Sequence, residues 1–281
     1  MAEDGGGQEI WHYLCCDFKG IPIYYITTMN NDYIEIQDNY DRGNYVRSTS
    51  SSTATTFSSI MTRVYVWMTA ALFLTAGTAF FTASSPALLQ LVFGNSASIW
   101  ILFILELGLV FGISAGINRL SPTTATALFL LYSVVNGLTL SVIFFAYEIG
   151  TIYQAFAASA LTFGGMSLYG YTTKKDLSGI GSYLIMGLIG LIIASVINIF
   201  WGNSIMDAII TYIGVFIFVG LTAYDTQKIK EMSYAVEQGS YMGYSDAAAP
   251  RRIAILGALT LYLDFINLFL YILRLFGRSR D

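Results

Sequence analysis

The stretch LYLDFINLFLYILRLF, residues 261–276, decides how this chain is built. It is almost wholly apolar, yet Asp264 stands in it well before the only other charge, Arg274. A charged side chain in hydrocarbon is costly, so such groups face a cavity, a partner or a water path. Thr260, Asp264, Asn267, Tyr271 and Arg274 succeed one another by four, three, four and three residues, which places them on one helix face. Counted from Arg252 at about 1.5 Å per residue, Asp264 lies about 18 Å along the helix, near the middle of a ~30 Å hydrocarbon layer. The stripe is therefore expected to point into a bundle interior or a pore. The plainer reading is a buried aspartate satisfied by hydroxyl or amide donors.

The rest of the chain fits a lipid solvent. Of its 281 residues 55% are hydrophobic and 11% charged, with a mean hydropathy of +0.61. Soluble domains carry about 25% charged residues. The net charge of −4 is uneven: residues 1–62 hold eight acids against three basic residues, a net −5, which leaves +1 for the remainder. No basic face points to nucleic acid. Cys15 and Cys16 are adjacent, a geometry that rarely bridges, and the single histidine, His12, argues against a zinc site. Residues 1–57 read as an acidic, Tyr/Ser/Thr-rich tail with no signal-peptide pattern. Within it, residues 21–36 alternate around Asn30-Asn31 like a hairpin, a disordered leader being the alternative. Residues 48–59, STSSSTATTFSS, read as a flexible linker.

From Val64 onward seven apolar runs are long enough to span: about 64–83, 98–117, 124–147, 151–171, 180–201, 208–227 and 253–276. The expected fold is therefore all-α, a polytopic seven-helix membrane domain over 58–281. SPALLQLVF, after the first run, is too short to cross and reads as an interfacial loop. Gly108, Gly112 and Gly116 share one face of the second run and read as a packing seam. Arg63, Arg119, Lys174, Lys175, Lys228, Lys230, Arg251 and Arg252 alternate with connections at 84–97, 148–150 and 202–207 that have no Lys or Arg. That bias predicts a cytoplasmic N-terminus. Arg274, Arg278 and Arg280 break it, so the last segment either crosses fully or turns back.

Four acids fall in the runs. Asp207 opens the sixth, where a carboxylate caps a helix N-terminus. Asp225, in GLTAYDTQKIK, is the natural partner of Asp264, because antiparallel runs six and seven bring both into the same half of the bilayer. Two carboxylates in a low dielectric cannot both ionise cheaply, so such a pair titrates as one unit and can sense pH. Their oxygens also suit Ca²⁺. Alternatively, Asp225 pairs with Lys228, one helical turn away. Arg119 is either a topology signal or a counter-charge to the acids, and Glu106 can line the same aqueous path. No nucleophile elbow, His pair, P-loop or dinucleotide fingerprint occurs. An enzyme is not expected, and no cofactor is called for.

The segments GLTAYDTQKIK (220–230) and LTLYLDFINLFLYILRLFG (259–277) closely resemble the signatures of the Bax inhibitor-1 family, and SPALLQLVFGN, NGLTLS and TKKDLSGIGSYL resemble its bacterial branch. The resemblance covers about 57–277. It implies a seven-helix fold with helix 7 surrounded by the other six, and a pH-sensitive calcium leak controlled by an aspartate pair that falls on Asp225 and Asp264. It further implies a latch arginine, mapped to Arg119 although this connection differs in length, and a helix 2 glutamate, mapped to Glu106 in LELGLV. Partners implied are membrane lipid, calcium ions and a membrane-bound ATP-dependent protease, in a bacterial inner membrane. From the residues alone, an adaptor for such a partner and a proton-coupled cation exchanger remain open beside the leak.

Overall fold

The computed structural model describes residues 42–237 and 248–278, and every described element is a helix. The hairpin expected over residues 21–36, together with Cys15, Cys16 and His12, lies outside the described residues. Val46–Asp281 forms one unit, distinct from Met1–Tyr45.

The helices are α1 (Arg42–Ser84), α2 (Pro86–Phe93), α3 (Ser96–Gly116), α4 (Pro122–Leu140), α5 (Ile143–Ala146), α6 (Ile149–Thr172), α7 (Ser178–Trp201), α8 (Ser204–Glu237) and α9 (Ala249–Arg278). Their ends follow local chemistry. Asn95 accepts a hydrogen bond from the Ala97 N–H and opens α3, and Ser121 does the same for Thr124 at the start of α4, with Pro122 at the first helical position. Gly202, at φ +58°, ends α7 in the left-handed region that a glycine enters without strain.

Among the described residues six stretches are long and apolar enough to cross a membrane: Ser58–Ser84, Ala97–Gly116, Pro122–Ala146, Ser178–Trp201, Ser204–Val236 and Ala249–Gly277. They coincide with six of the seven expected runs. The remaining run is α6, 24 residues long, whose Gly, Ser, Thr and Tyr content leaves it outside that set. In the apolar stretch of α9, 72% of residues are buried, against 6% in α3 and in α7. α9 thus takes its solvation from protein, whereas α3 and α7 present Phe103, Phe111, Ile193 and Phe200 outward, as lipid contact requires.

Several expectations change. SPALLQLVF forms a short helix, α2, because Pro86 at its first position presets helical φ. Residues 48–59 lie within α1. The glycine seam meets no neighbouring helix among the described residues: a Cβ on Gly108 or Gly112 would have nothing within 4 Å, and one on Gly116 would meet only Leu120. The glycines that do allow close approach are Gly137 against α1, Gly170 against Ala223 and Gly181 against Tyr224. Finally, α9 does not turn back. It is one unbroken helix whose Arg274 reaches Asp207 at the start of α8.

Candidate functional site

α8 and α9 pack antiparallel in a defined register. Near one end Gly214 makes room for the Tyr271 ring, which stacks on Phe218 at 5.7 Å between centroids. Near the other, Gly257 accommodates Ile229 and Val64. Between these contacts the carboxyls of Asp225 and Asp264 approach closely enough for each to act on the other. Asp264 is 5% exposed, and no donor from the described residues reaches its Oδ2. Leu261, Tyr262, Phe265 and Leu268 are all buried around it. Lys228 is near enough to act on Asp225 through its charge, but its ammonium lies over the Tyr224 ring, 5.8 Å from the centroid. Asp225 thus lies within reach of both the Lys228 charge and the Asp264 carboxyl.

The segment around Asp225 is bound into its neighbours residue by residue. Tyr224 fills the space left by Gly181 of α7. Thr226 Oγ1 lies 3.1 Å from Ser167 Oγ of α6, which in turn lies 2.5 Å from the Tyr65 hydroxyl of α1. Gln227 accepts from the Leu177 N–H at 2.8 Å through Oε1 and donates from Nε2 to the Lys175 carbonyl at 2.8 Å. Lys230 Nζ donates to the Tyr171 carbonyl at 2.7 Å, a cation at the C-terminal turn of α6, where it complements the helix dipole. Gln227 and Ser167 are not singled out by the sequence, and Lys230 enters there only as an orientation signal. For Gln227 the signal was present, a neutral amide two residues past Asp225; for Ser167 nothing in the spacing singled it out.

The other expected site residues are dispersed. Thr260 and Asn267 donate to carbonyls of their own helix, Leu256 at 3.0 Å and Leu263 at 2.8 Å. Glu106 is half-buried and accepts at 2.7 Å from Thr139 of α4. It lies near a second polar knot, in which the Tyr262 hydroxyl meets Thr75 at 2.6 Å and Asn136 at 3.1 Å. No hydrogen bond or ion pair joins Glu106 or the exposed Arg119 to either aspartate among the described residues. At the start of α8 Asn203 accepts from Ile205 N at 2.9 Å, and Asp207, in the first turn, faces Arg274 at 3.5 Å. Among the described residues no three acidic, histidine or cysteine side chains gather as metal ligands, so the pair offers two carboxyls, far short of the 6–8 oxygens of a calcium cage.

This geometry can be set beside known proteins. The chain is 50% identical over 220 residues to the inner membrane protein YbhL of Escherichia coli K12, covering 78% of this chain and 92% of that protein. It is 45% identical over 221 residues to an uncharacterized protein of Borreliella burgdorferi, covering 79% and 92%. With an uncharacterized protein of Deinococcus radiodurans it shares 43% over 237 residues, covering 84% and 97%. A family model described as inhibitor of apoptosis-promoting Bax1 matches residues 57–281, a range that holds every span and both aspartates. This membrane protein belongs to the Bax inhibitor-1 family.

Proposed function

We propose that the chain is a pH-sensitive calcium leak channel of a bacterial inner membrane, gated by protonation of Asp225 and Asp264. The observation that carries this reading is their close approach in the buried seam between α8 and α9. When one carboxyl holds a proton the two groups can hydrogen-bond. When both are ionised they repel in a medium that screens poorly. Protonation thus changes the force between two spans. Two carboxyls suit brief contact with a passing Ca²⁺ better than storage of one. In this reading α6, about 36 Å long at ~1.5 Å per residue, is the seventh crossing, and α9 runs through the middle of the bundle. The end carrying Arg63, Arg119, Lys174 and Lys230 faces the cytoplasm, with the N-terminus. Arg119, on the short connection from α3 to α4, is the latch that reaches the aspartates in the ionised state, and Glu106 lines the path.

The test is purified full-length protein in dye-loaded liposomes. Calcium entry should vary with pH, and both Asp225→Asn and Asp264→Asn should flatten that dependence. An unchanged pH profile in both variants rejects the gate. Flux that reverses under an imposed proton gradient assigns an exchanger, and absence of flux with a co-purifying membrane protease assigns an adaptor.

A further inference from the structure

We infer that the groove between α1 and α6 is a binding site for one anionic phospholipid. The groove is open along one side and holds about 500 Å³, within the 300–1,000 Å³ usual for small-molecule sites. One helical face of α1 and one of α6 form its walls. Ser58, Thr62 and Tyr171 stand towards the end that carries Arg63 and Lys230, beside Met61 and Leu168, and Met68 and Phe163 stand deeper, beside Tyr65 and Ser167. From Ser58 to Met68 is about 15 Å along α1, half the thickness of a ~30 Å hydrocarbon layer. The deeper hydroxyls, of Tyr65 and Ser167, bond each other and Thr226, so the deeper wall offers an acyl chain its thioether and phenyl groups, below a hydroxyl-bearing end suited to a headgroup and glycerol.

Charge selects the headgroup. None of the lining residues is acidic. Lys230 stands at the mouth, its Nζ on the Tyr171 carbonyl at 2.7 Å and 5.6 Å from the centroid of that ring. Arg63 is exposed beside Thr62, and Lys174 and Lys175 follow α6. Cations at this level of a membrane attract anionic lipid headgroups. The acyl-chain space is also open by sequence: a Cβ on Gly164 would meet nothing within 4 Å. The occupant would not be remote from the aspartates. Ser167, in the groove wall, bridges Tyr65 to Thr226, the neighbour of Asp225. The site stands independently of the calcium reading.

Native mass spectrometry of the detergent-purified full chain, given phosphatidylglycerol or phosphatidylethanolamine of matched acyl chains, tests this. One phosphatidylglycerol per chain should be retained, at least fivefold over phosphatidylethanolamine. Gly164→Leu should lower that retention at least tenfold, and Arg63→Gln should erase the preference between the two lipids. Gly164→Ala, a single carbon in open space, is the folding control and should retain lipid. Equal retention of both lipids by the unaltered chain overturns the proposal, as does undiminished retention in Gly164→Leu. So does a groove occupied by a second copy, seen as a dimer that Gly164→Leu dissolves, or by residues 1–41, seen as lipid retention only after their deletion.

Discussion

Arg274 Nη1 lies 3.5 Å from Asp207 Oδ1, fastening the last turns of α9 to the first turn of α8. Both side chains keep 40–48% of their surface exposed, so the pair is a clip at the rim of the seam. Exposed ion pairs contribute about 0–1 kcal/mol. Arg274→Ala should therefore lower stability by no more than ~1 kcal/mol, with part of the loss from its position over the Tyr271 ring, 5.9 Å from the centroid. Thermal unfolding in detergent reads this out. A loss several times larger would mean that the seam depends on its rim and not on its buried interior.

The glycines separate into two classes with opposite predicted effects. A Cβ on Gly170 would stand 2.2 Å from the Ala223 carbonyl oxygen, a backbone atom that cannot step aside. Gly170→Ala must push α6 off α8, and overpacking of this kind costs about 1–3 kcal/mol. Gly108→Ala and Gly112→Ala meet open space and gain helix propensity of up to ~1 kcal/mol. The three unfolding temperatures should order accordingly, with Gly170→Ala below the unaltered chain and the other two at or above it.

These comparisons mark what could be read from residue order. Run length located six of the seven expected spans, with ends agreeing to within six residues except at the end of α8, where the helix runs nine residues further, because hydrocarbon thickness acts on each helix separately. The spacing of Thr260, Asp264, Asn267 and Tyr271 likewise reported one face of α9. It did not report what that face touches. Thr260 and Asn267 bond back to their own helix, an option open to any Thr or Asn in a span and invisible in its spacing. Asn203 takes part in capping α8 as well, and Asn and Asp are equivalent caps, so residue type alone does not single it out. Gly108 and Gly170 look alike in sequence, and only the neighbour opposite tells them apart.

Tyr262 ties α9 to α1 and α4 through Thr75 and Asn136, with its ring edge-on to Phe129 and Tyr132 at 5.7 Å. Tyr262→Phe keeps the ring and removes the donor to the Asn136 oxygen. An orphaned buried polar group costs about 1–3 kcal/mol, which is the expected destabilisation. Making Asn136→Leu as well should recover part of it, because replacing both partners with apolar groups removes the orphan. Strict additivity of the two single effects in thermal unfolding would show that the hydrogen bond is not shared.

Asp176, on the exposed connection before α7, accepts from the Ser178 N–H at 2.8 Å and from the Ser178 hydroxyl. The hydroxyl, then the backbone N–H, holds its carboxyl below the usual carboxylate range. A carboxyl depressed in the folded state supports folding above the ordinary carboxylate range and loses that support as pH falls through its folded value. Ser178→Ala removes the larger cause, so the Asp176 titration should move upward toward the ordinary range in carbon-detected NMR. No movement would assign the depression to the helix start as a whole.

Gln227 holds the same connection from the other side. Its amide accepts from the Leu177 N–H and donates to the Lys175 carbonyl, each at 2.8 Å, and both Leu177 and Gln227 are buried. Gln227→Ala leaves two backbone groups without partners, for an expected cost of about 1–3 kcal/mol. Gln227→Glu should be no better, since it places a second acceptor against the Lys175 carbonyl. Hydrogen exchange distinguishes a local clamp from general loosening: protection should fall at Lys175–Gly179 in both variants while the α9 amides around Asp264 keep theirs. If Leu177 stays protected in Gln227→Ala, the first turn of α7 holds the connection unaided. Two residues from Asp225, α8 would then move without carrying that connection along.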